Sequence, residues 1–464
     1  MSSSTRRDFL ATCGVSTAVG VNSVAHAAKP SQRSTHQSDD VVIRPLKNAR
    51  PLMKGFPPLR ESRVTIDNFT DSTDRTRWAM QNAESVFKTV EVDKNDDRIA
   101  VLPRRMTDPE AIDRIIVEFE GSKIEVSDWL EKTETDSLLV LHDGAIVVET
   151  YFGEMRPSTR HLTWSLGKAL LSLLVLQCDK VNPANAIDSY VPALKPTAFS
   201  GATVQHVLDQ QTGLAFQETP PDNQPKTLEL YTFGTKEFRE AKHEYAQYER
   251  TTGILPKLTG ESAIDGLYDI LLRQTEAARP HGSTLWYAEP NIIALQQLLE
   301  TVAQERIVAH LENELWKRIG AEHRINAIVD GIGTPAFGTG ISMSTRDVGR
   351  LGQLLLNRGQ YNGQKIVSKG VVEDILTERN VGAINDASNF SDWAKYRPGY
   401  RNLFWTWPSE DGQRPLLSAL GLYGQHCVVD FNNGNVIVKF SSNPNFAHLT
   451  EDVNAIRTLS NALS

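Results

Sequence analysis

Cysteine is scarce in this chain, three in 464 residues, too few for a disulfide framework. No apolar run beyond the first 27 residues is long and uncharged enough to span a bilayer. There is no H-E-x-x-H and no clustered set of histidines and cysteines, so no metal and no cofactor is expected. No serine stands in G-x-S-x-G, which argues against the strand-to-helix nucleophile elbow of a Ser-His-Asp hydrolase. An excess of positive charge is also missing. Lys and Arg number 49 against 57 Asp and Glu, a net charge of −8, which argues against nucleic acid and anionic membrane as main partners. Internal repeats and low-complexity tracts are absent.

What is present begins at the N-terminus. Thr5-Arg6-Arg7-Asp8-Phe9-Leu10 is a twin-arginine pattern, a mildly apolar stretch runs over 11–24, and Ala25-His26-Ala27 offers an A-x-A cleavage site. Residues 1–27 therefore read as a twin-arginine signal peptide, with the export machinery as a partner and the periplasm or beyond as the destination. Without them the charge moves from −8 to −9, and only Cys178 and Cys427 remain; whether those two pair is left open. Residues 28–64, rich in Ser, Pro and charge, read as a linker or wrapping segment. The rest, 65–464, is long enough to bury a substantial core.

Two hairpin signals frame that region. Residues 137–152 read as strands about Asp143-Gly144, and 426–440 as strands about Asn432-Asn433-Gly434. Helical patterns lie between, from about 187 to 322, and mixed charged helices and short apolar pieces precede, over 65–133. This order predicts an α+β fold, with one antiparallel sheet closed by both ends of the domain and a helical region inserted into it.

The densest chemistry is in Thr163-Trp164-Ser165-Leu166-Gly167-Lys168, followed by an apolar run to Leu176. This reads as the start of a buried helix, and positions i and i+3 share a face, so Ser165 Oγ and Lys168 Nζ can meet. A serine is a poor nucleophile alone; an amine desolvated beside an apolar helix can act as its base. The same spacing recurs at Ser85 and Lys88, but in a stretch with charges on both sides, where a solvated helix face is the better reading. A proton shuttle and an oxyanion hole are also needed. Tyr287, on a loop before a helical pattern, could face a cleft; Tyr400 is a rival in a strand-like aromatic run. Gly421-Leu422-Tyr423-Gly424-Gln425 precedes the second hairpin, where glycine lets a backbone N–H approach a substrate carbonyl. Trp405 and Trp407 could line an apolar pocket or serve as core.

Taken in order, these stretches resemble the serine hydrolases of the beta-lactamase (penicillin-recognising) superfamily. The resemblance is strongest to the class C-related carboxylesterase-like and aminohexanoate-dimer hydrolase branch. It spans about residues 60 to 460 and also rests on Thr212-Gly213-Leu214 and Gly338-Thr339-Gly340-Ile341-Ser342. It implies a beta-lactamase-like domain with Ser165 as acylated nucleophile, Lys168 as base and Tyr287 as the hydroxyl that passes a proton to the leaving group. The backbone N–H groups of Ser165 and Gln425 would form the oxyanion hole. Gly424 would fill the glycine place of the third motif, with Tyr423, Asn291 and Trp405 near the substrate. The implied substrate is a small ester or amide. Two departures stand out: Ala288-Glu289-Pro290 intervenes before Asn291, and Leu422 stands where penicillin-recognising enzymes carry lysine. A non-catalytic periplasmic binding protein on this fold is one alternative reading, and a beta-lactamase or D,D-peptidase is another.

Overall fold

The computed structural model describes residues 41–47, 49–216, 240, 244–260, 266–361, 363–377, 379–409, 413–445 and 448–464. The twin-arginine segment, the linker as far as residue 40 and the 220–225 loop lie outside the described residues.

The two hairpins form as their patterns predict. Thr135–His142 pairs antiparallel with Ala145–Phe152, and Gln425–Asp430 with Asn435–Ser441. They join where Asn435–Ser441 pairs antiparallel with Thr135–His142, so residues some 300 apart close one sheet. These strands are buried on both faces; the helix Thr345–Leu356 packs on Thr135–His142, Gln425–Asp430 and Asn435–Ser441, and the helix His448–Ala462 on the last two. Leu139, Val140, Val428, Ile437 and Val438 thus leave water entirely, each contributing on the order of 2 kcal/mol before chain entropy is set against it.

The full sheet has eight strands, in the order Val42–Arg44, Ala145–Phe152, Thr135–His142, Asn435–Ser441, Gln425–Asp430, Leu416–Gly421, Phe404–Trp407 and Gly399–Arg401. Every neighbouring pair is antiparallel except the first, which is parallel. Part of the segment expected to be linker therefore belongs to the sheet, where it covers the otherwise open edge of Ala145–Phe152. Tyr400 lies on the opposite edge strand, as its context suggested. A second sheet was not anticipated: Thr89–Val92, Ile325–Ile328, Ile341–Ser344 and Arg160–Leu162, in that order. Its strands are three or four residues long, too short for a period-two pattern to register.

Between Arg160–Leu162 and Ile325–Ile328 the described residues form helices and loops, with isolated bridges at Ala186–Thr203 and Leu214–Ala277. Cys178 and Cys427 are both free thiols, and burial pushes the Cys427 thiol up to about 12. Among the described residues no helix is long and apolar enough to cross a membrane, and no group of His, Cys, Asp or Glu is placed to hold a metal ion.

One junction matters for chemistry. The turn Trp164–Gly167 touches Leu416–Gly421 and Gln425–Asp430 of the large sheet and Ile341–Ser344 of the small one. The serine-bearing turn is thus wedged between the two sheets.

Candidate active site

Ser165 does not begin an α-helix as its sequence suggests. It sits in a 3-10 turn, Trp164–Gly167, and the α-helix Lys168–Gln177 follows. Side chains three apart eclipse in a 3-10 turn, and Lys168 Nζ donates to Ser165 Oγ at 2.7 Å. Trp164 takes a left-handed φ of 50°, a conformation that costs a non-glycine residue roughly 1–3 kcal/mol. Thr163 holds the turn in place: its N–H and its hydroxyl both donate to the Ile341 carbonyl at 2.8 Å. The helix that follows is apolar on every side and buried from Lys168 to Val175, so it carries the lysine out of water. A buried ammonium needs partners.

Lys168 has three. Besides Ser165, its Nζ donates to Glu289 Oε1 at 2.6 Å and to the Gly338 carbonyl at 3.1 Å. Glu289 is the first residue of the helix Glu289–Ala303, where the helix dipole favours a carboxylate. Gly338 packs so closely that a Cβ there would lie 1.7 Å from Glu289 Oε2; only glycine fits. In the sequence Glu289 registered merely as a departure from the second motif. It is the residue of that motif that reaches the lysine.

Tyr287 lies across the same ammonium, with Lys168 Nζ 4.8 Å from its ring centre. Asn389 clamps the tyrosine backbone on both sides: Tyr287 N–H donates to Asn389 Oδ1 at 2.9 Å and Asn389 Nδ2 to the Tyr287 carbonyl at 2.8 Å. Nothing in the sequence pattern pointed to Asn389. Asn291 stands behind this loop, with both ends of its amide engaged in the frame. Its Nδ2 donates to Gln210 Oε1 at 2.6 Å, and Thr212 Oγ1 donates to its Oδ1 at 2.8 Å. Gln210 Oε1 also receives the Ala288 N–H at 2.9 Å. Asn291 therefore shapes the tyrosine loop and makes no hydrogen bond to Ser165 or Lys168 among the described residues.

Trp405 is buried in an aromatic cluster with Tyr400, Phe390 and Trp393, at ring separations of 4.7, 5.2 and 4.8 Å. Phe390 and Tyr400 in turn touch the Tyr287 ring, at 5.3 and 6.0 Å. The rival Tyr400 thus packs beside Tyr287 instead of replacing it. Ser85, in the short helix Ala83–Val86, is exposed, as a solvated face requires.

The third stretch adjoins the serine turn. A Cβ on Gly421 would lie 2.1 Å from the Thr163 carbonyl, so this glycine permits the contact between strand and turn. Tyr423 and Gly424 both take left-handed φ, 63° and 87°, which turns the chain back, and the Tyr423 ring rests on Trp164 at 5.4 Å. The Gln425 side chain points inward, donating to the Leu422 and Ser441 carbonyls at 3.0 and 2.7 Å. What this residue can offer a substrate is backbone.

A further acid lies behind the lysine, on the helix Glu244–Thr252. Burial, and next the charge of Glu289, push the Glu249 carboxyl up to about 8. The same helix buries Tyr248, whose phenol is held well above its usual range by burial, Glu289 and Glu249. Tyr423 is likewise raised, by burial and then Glu249. A carboxyl raised in the folded state from its ordinary 4.5 stabilises the fold fully below that value and loses the contribution as pH climbs toward about 8. The Glu249→Gln variant mimics the protonated acid and is expected to escape this loss. Between about pH 5 and pH 8 its advantage over the parent should grow toward roughly 4 kcal/mol, visible as diverging melting temperatures. Parallel curves of Tm against pH would refute it.

Comparison with known proteins gives the family and the fold. A family model described as Beta-lactamase matches residues 129–459. The 6-aminohexanoate-dimer hydrolase of Paenarthrobacter ureafaciens is 26% identical over 397 residues, covering 84% of this chain and 91% of its own. A solved structure from Bacillus anthracis, described as a candidate 6-aminohexanoate-dimer hydrolase, superposes with a TM-score of 0.73 at 25% identity, covering 86% of this chain and 97% of its own. EstCE1, a hydrolase with promiscuous acyltransferase activity, shares the fold at a TM-score of 0.53 and 14% identity, covering 73% of this chain and 96% of its own.

Proposed function

Since the chain belongs to the beta-lactamase family, and its relatives there are hydrolases, we propose that this serine hydrolase cleaves a small ester or amide through an acyl-enzyme on Ser165. The observation that carries the reading is the 2.7 Å contact between Ser165 Oγ and the buried Lys168 Nζ, a nucleophile within reach of its base. Ser165 Oγ attacks the substrate carbonyl carbon while its proton passes to Lys168, and the carbonyl π pair moves onto oxygen. The backbone N–H groups of Ser165 and Gln425 receive that oxyanion. As the bond to the leaving group breaks, Tyr287 delivers the proton to the departing oxygen or nitrogen. Water then attacks the acyl-serine, releases the acid and returns a proton to Ser165.

The aromatic cluster of Phe390, Trp393 and Trp405 beside Tyr287 supports an apolar group on the substrate. The name of the Paenarthrobacter ureafaciens relative supports an amide among the substrates. Leu422 stands where a lysine would meet a penicillin carboxylate, which disfavours that class.

Intact mass after exposure to a fluorophosphonate ester tests the reading. One adduct on the parent and none on Ser165→Ala is the expected pair of results. No adduct on either protein would overturn it in favour of a ligand-binding role, and a stable adduct with benzylpenicillin would redirect it to penicillin recognition. Export by the twin-arginine route belongs to the same reading, supported by Arg6-Arg7 and Ala25-His26-Ala27. The mass of protein recovered from a periplasmic fraction should then correspond to a chain beginning at Ala28.

A further inference from the structure

A lysine that takes a proton from serine needs a lone pair, and a fully protonated Lys168 has none. Its Nζ faces three acceptors at once: Ser165 Oγ at 2.7 Å, Glu289 Oε1 at 2.6 Å and the Gly338 carbonyl at 3.1 Å. Three acceptors match the three N–H donors of an ammonium. Of the three, only the carboxylate can take a proton away. Glu289 is buried to 1% exposure, as is the lysine, so the transfer between them would be shielded from bulk water. Glu289 Oε2 packs against Gly338 and makes no hydrogen bond in good geometry among the described residues, with the Tyr248 phenol the neighbouring group that bears on this carboxyl.

We propose that Glu289 is a positioning and proton-holding residue, and that the base of this enzyme is a Lys168–Glu289 dyad instead of a lone lysine. The inference rests on the acyl-enzyme reading above. Before attack, one proton crosses from Lys168 Nζ to Glu289, leaving a neutral amine beside a neutral acid. The amine then accepts the Ser165 proton as the Oγ–carbon bond forms. That proton leaves with the alcohol or amine by way of Tyr287, and the proton on Glu289 returns to Lys168 when the cycle closes. No proton is gained or lost by the pair, and no co-reactant is required.

Among the described residues the groups about the dyad are Ser165 on the 3-10 turn, Tyr287 ahead of the helix Glu289–Ala303, and Tyr248 and Glu249 on the helix Glu244–Thr252, with Tyr423 of the hairpin turn near enough to sense Glu249. Tyr248 and Tyr423 have phenols raised above their usual range, so they stay neutral near pH 7. Glu249, raised by burial and by the Glu289 charge, stays protonated below about pH 8, so the dyad is spared a second carboxylate charge.

This arrangement predicts a shape of pH profile as well as a rate. The ion pair and the neutral pair hold the same number of protons, so the fraction of neutral amine does not change with pH while the dyad is intact. Between about pH 5.5 and pH 7.5 the parent should label with a fluorophosphonate at a nearly constant rate. In Glu289→Gln the proton can leave only to bulk water. Labelling at about pH 7 is expected to fall roughly 100-fold and to climb with pH, because the proton is now exchanged with bulk water. Glu289→Asp, which keeps a carboxyl, should be slower than the parent yet equally flat, and it guards against a Gln variant that fails to fold. A Glu289→Gln profile parallel to that of the parent, or a sloping Glu289→Asp profile, would overturn the dyad while leaving Ser165 labelling intact. Failure of the parent to label at all would instead overturn the acyl-enzyme reading.

Discussion

Lys168→Met is expected to lower the rate of fluorophosphonate labelling at Ser165 by about 1,000-fold or more, within the range removed with a general base. The loss should have two separable parts. Methionine cannot accept the Ser165 proton, which removes the chemistry. It also leaves the Glu289 carboxylate in the interior without its partner at 2.6 Å, and breaking a buried pair costs on the order of 3–5 kcal/mol. Urea denaturation should therefore show Lys168→Met destabilised. The double variant Lys168→Met/Glu289→Gln, in which neither side chain is charged, should recover most of that stability and none of the activity. Activity within tenfold of the parent in Lys168→Met would remove the lysine from the mechanism.

A stability effect of the same size is expected at Asp452, away from the reacting serine. Its carboxylate accepts from Lys439 Nζ at 2.9 Å, from His426 Nε2 at 3.1 Å and from Trp129 Nε1 at 2.7 Å, and Asp452, Lys439 and His426 are wholly buried. Burial alone would raise the Asp452 carboxyl, but the Lys439 ammonium and then His426 hold it down to about 2. Asp452→Ala strands a buried ammonium, so a loss of roughly 3–5 kcal/mol is expected. The double variant with Lys439→Met should restore much of it. In the parent, a carboxyl depressed from 3.8 contributes stability that is present above that pH and lost as pH falls toward about 2. Acid unfolding should accordingly be steep in the parent over that window and shallower in the double variant. The cluster also supports the site: Lys439 Nζ donates to Ser441 Oγ at 2.6 Å, and the Ser441 carbonyl anchors the Gln425 side chain. An Asp452→Ala protein as stable as the parent would show that the charges are solvated by another route.

Much of the site was legible because its chemistry is local. The serine and lysine are three residues apart, so their meeting depends only on the turn that contains them. The hairpins declare themselves by alternation and by the Asp143-Gly144 and Asn433-Gly434 turns. Tyr287 and the 421–425 stretch could be proposed from their positions before a helix and before a strand. Even so, the local geometry came out tighter than the sequence suggested, a 3-10 turn at Ser165 in place of the start of an α-helix.

The rest depended on contacts that no local pattern encodes. Glu289 meets Lys168 across 121 residues, and the Gly338 carbonyl across 170. Asn389 holds Tyr287 across 102, and Val42–Arg44 joins an edge strand more than 100 residues away. Such pairings follow from which helix ends and strand edges the packed core brings together, a matter of shape and burial over the whole domain. A glutamate after a tyrosine reads in sequence as a broken motif; set against a buried lysine, at the start of a helix and with no side chain on Gly338 to displace it, the same glutamate becomes the charge that completes the site.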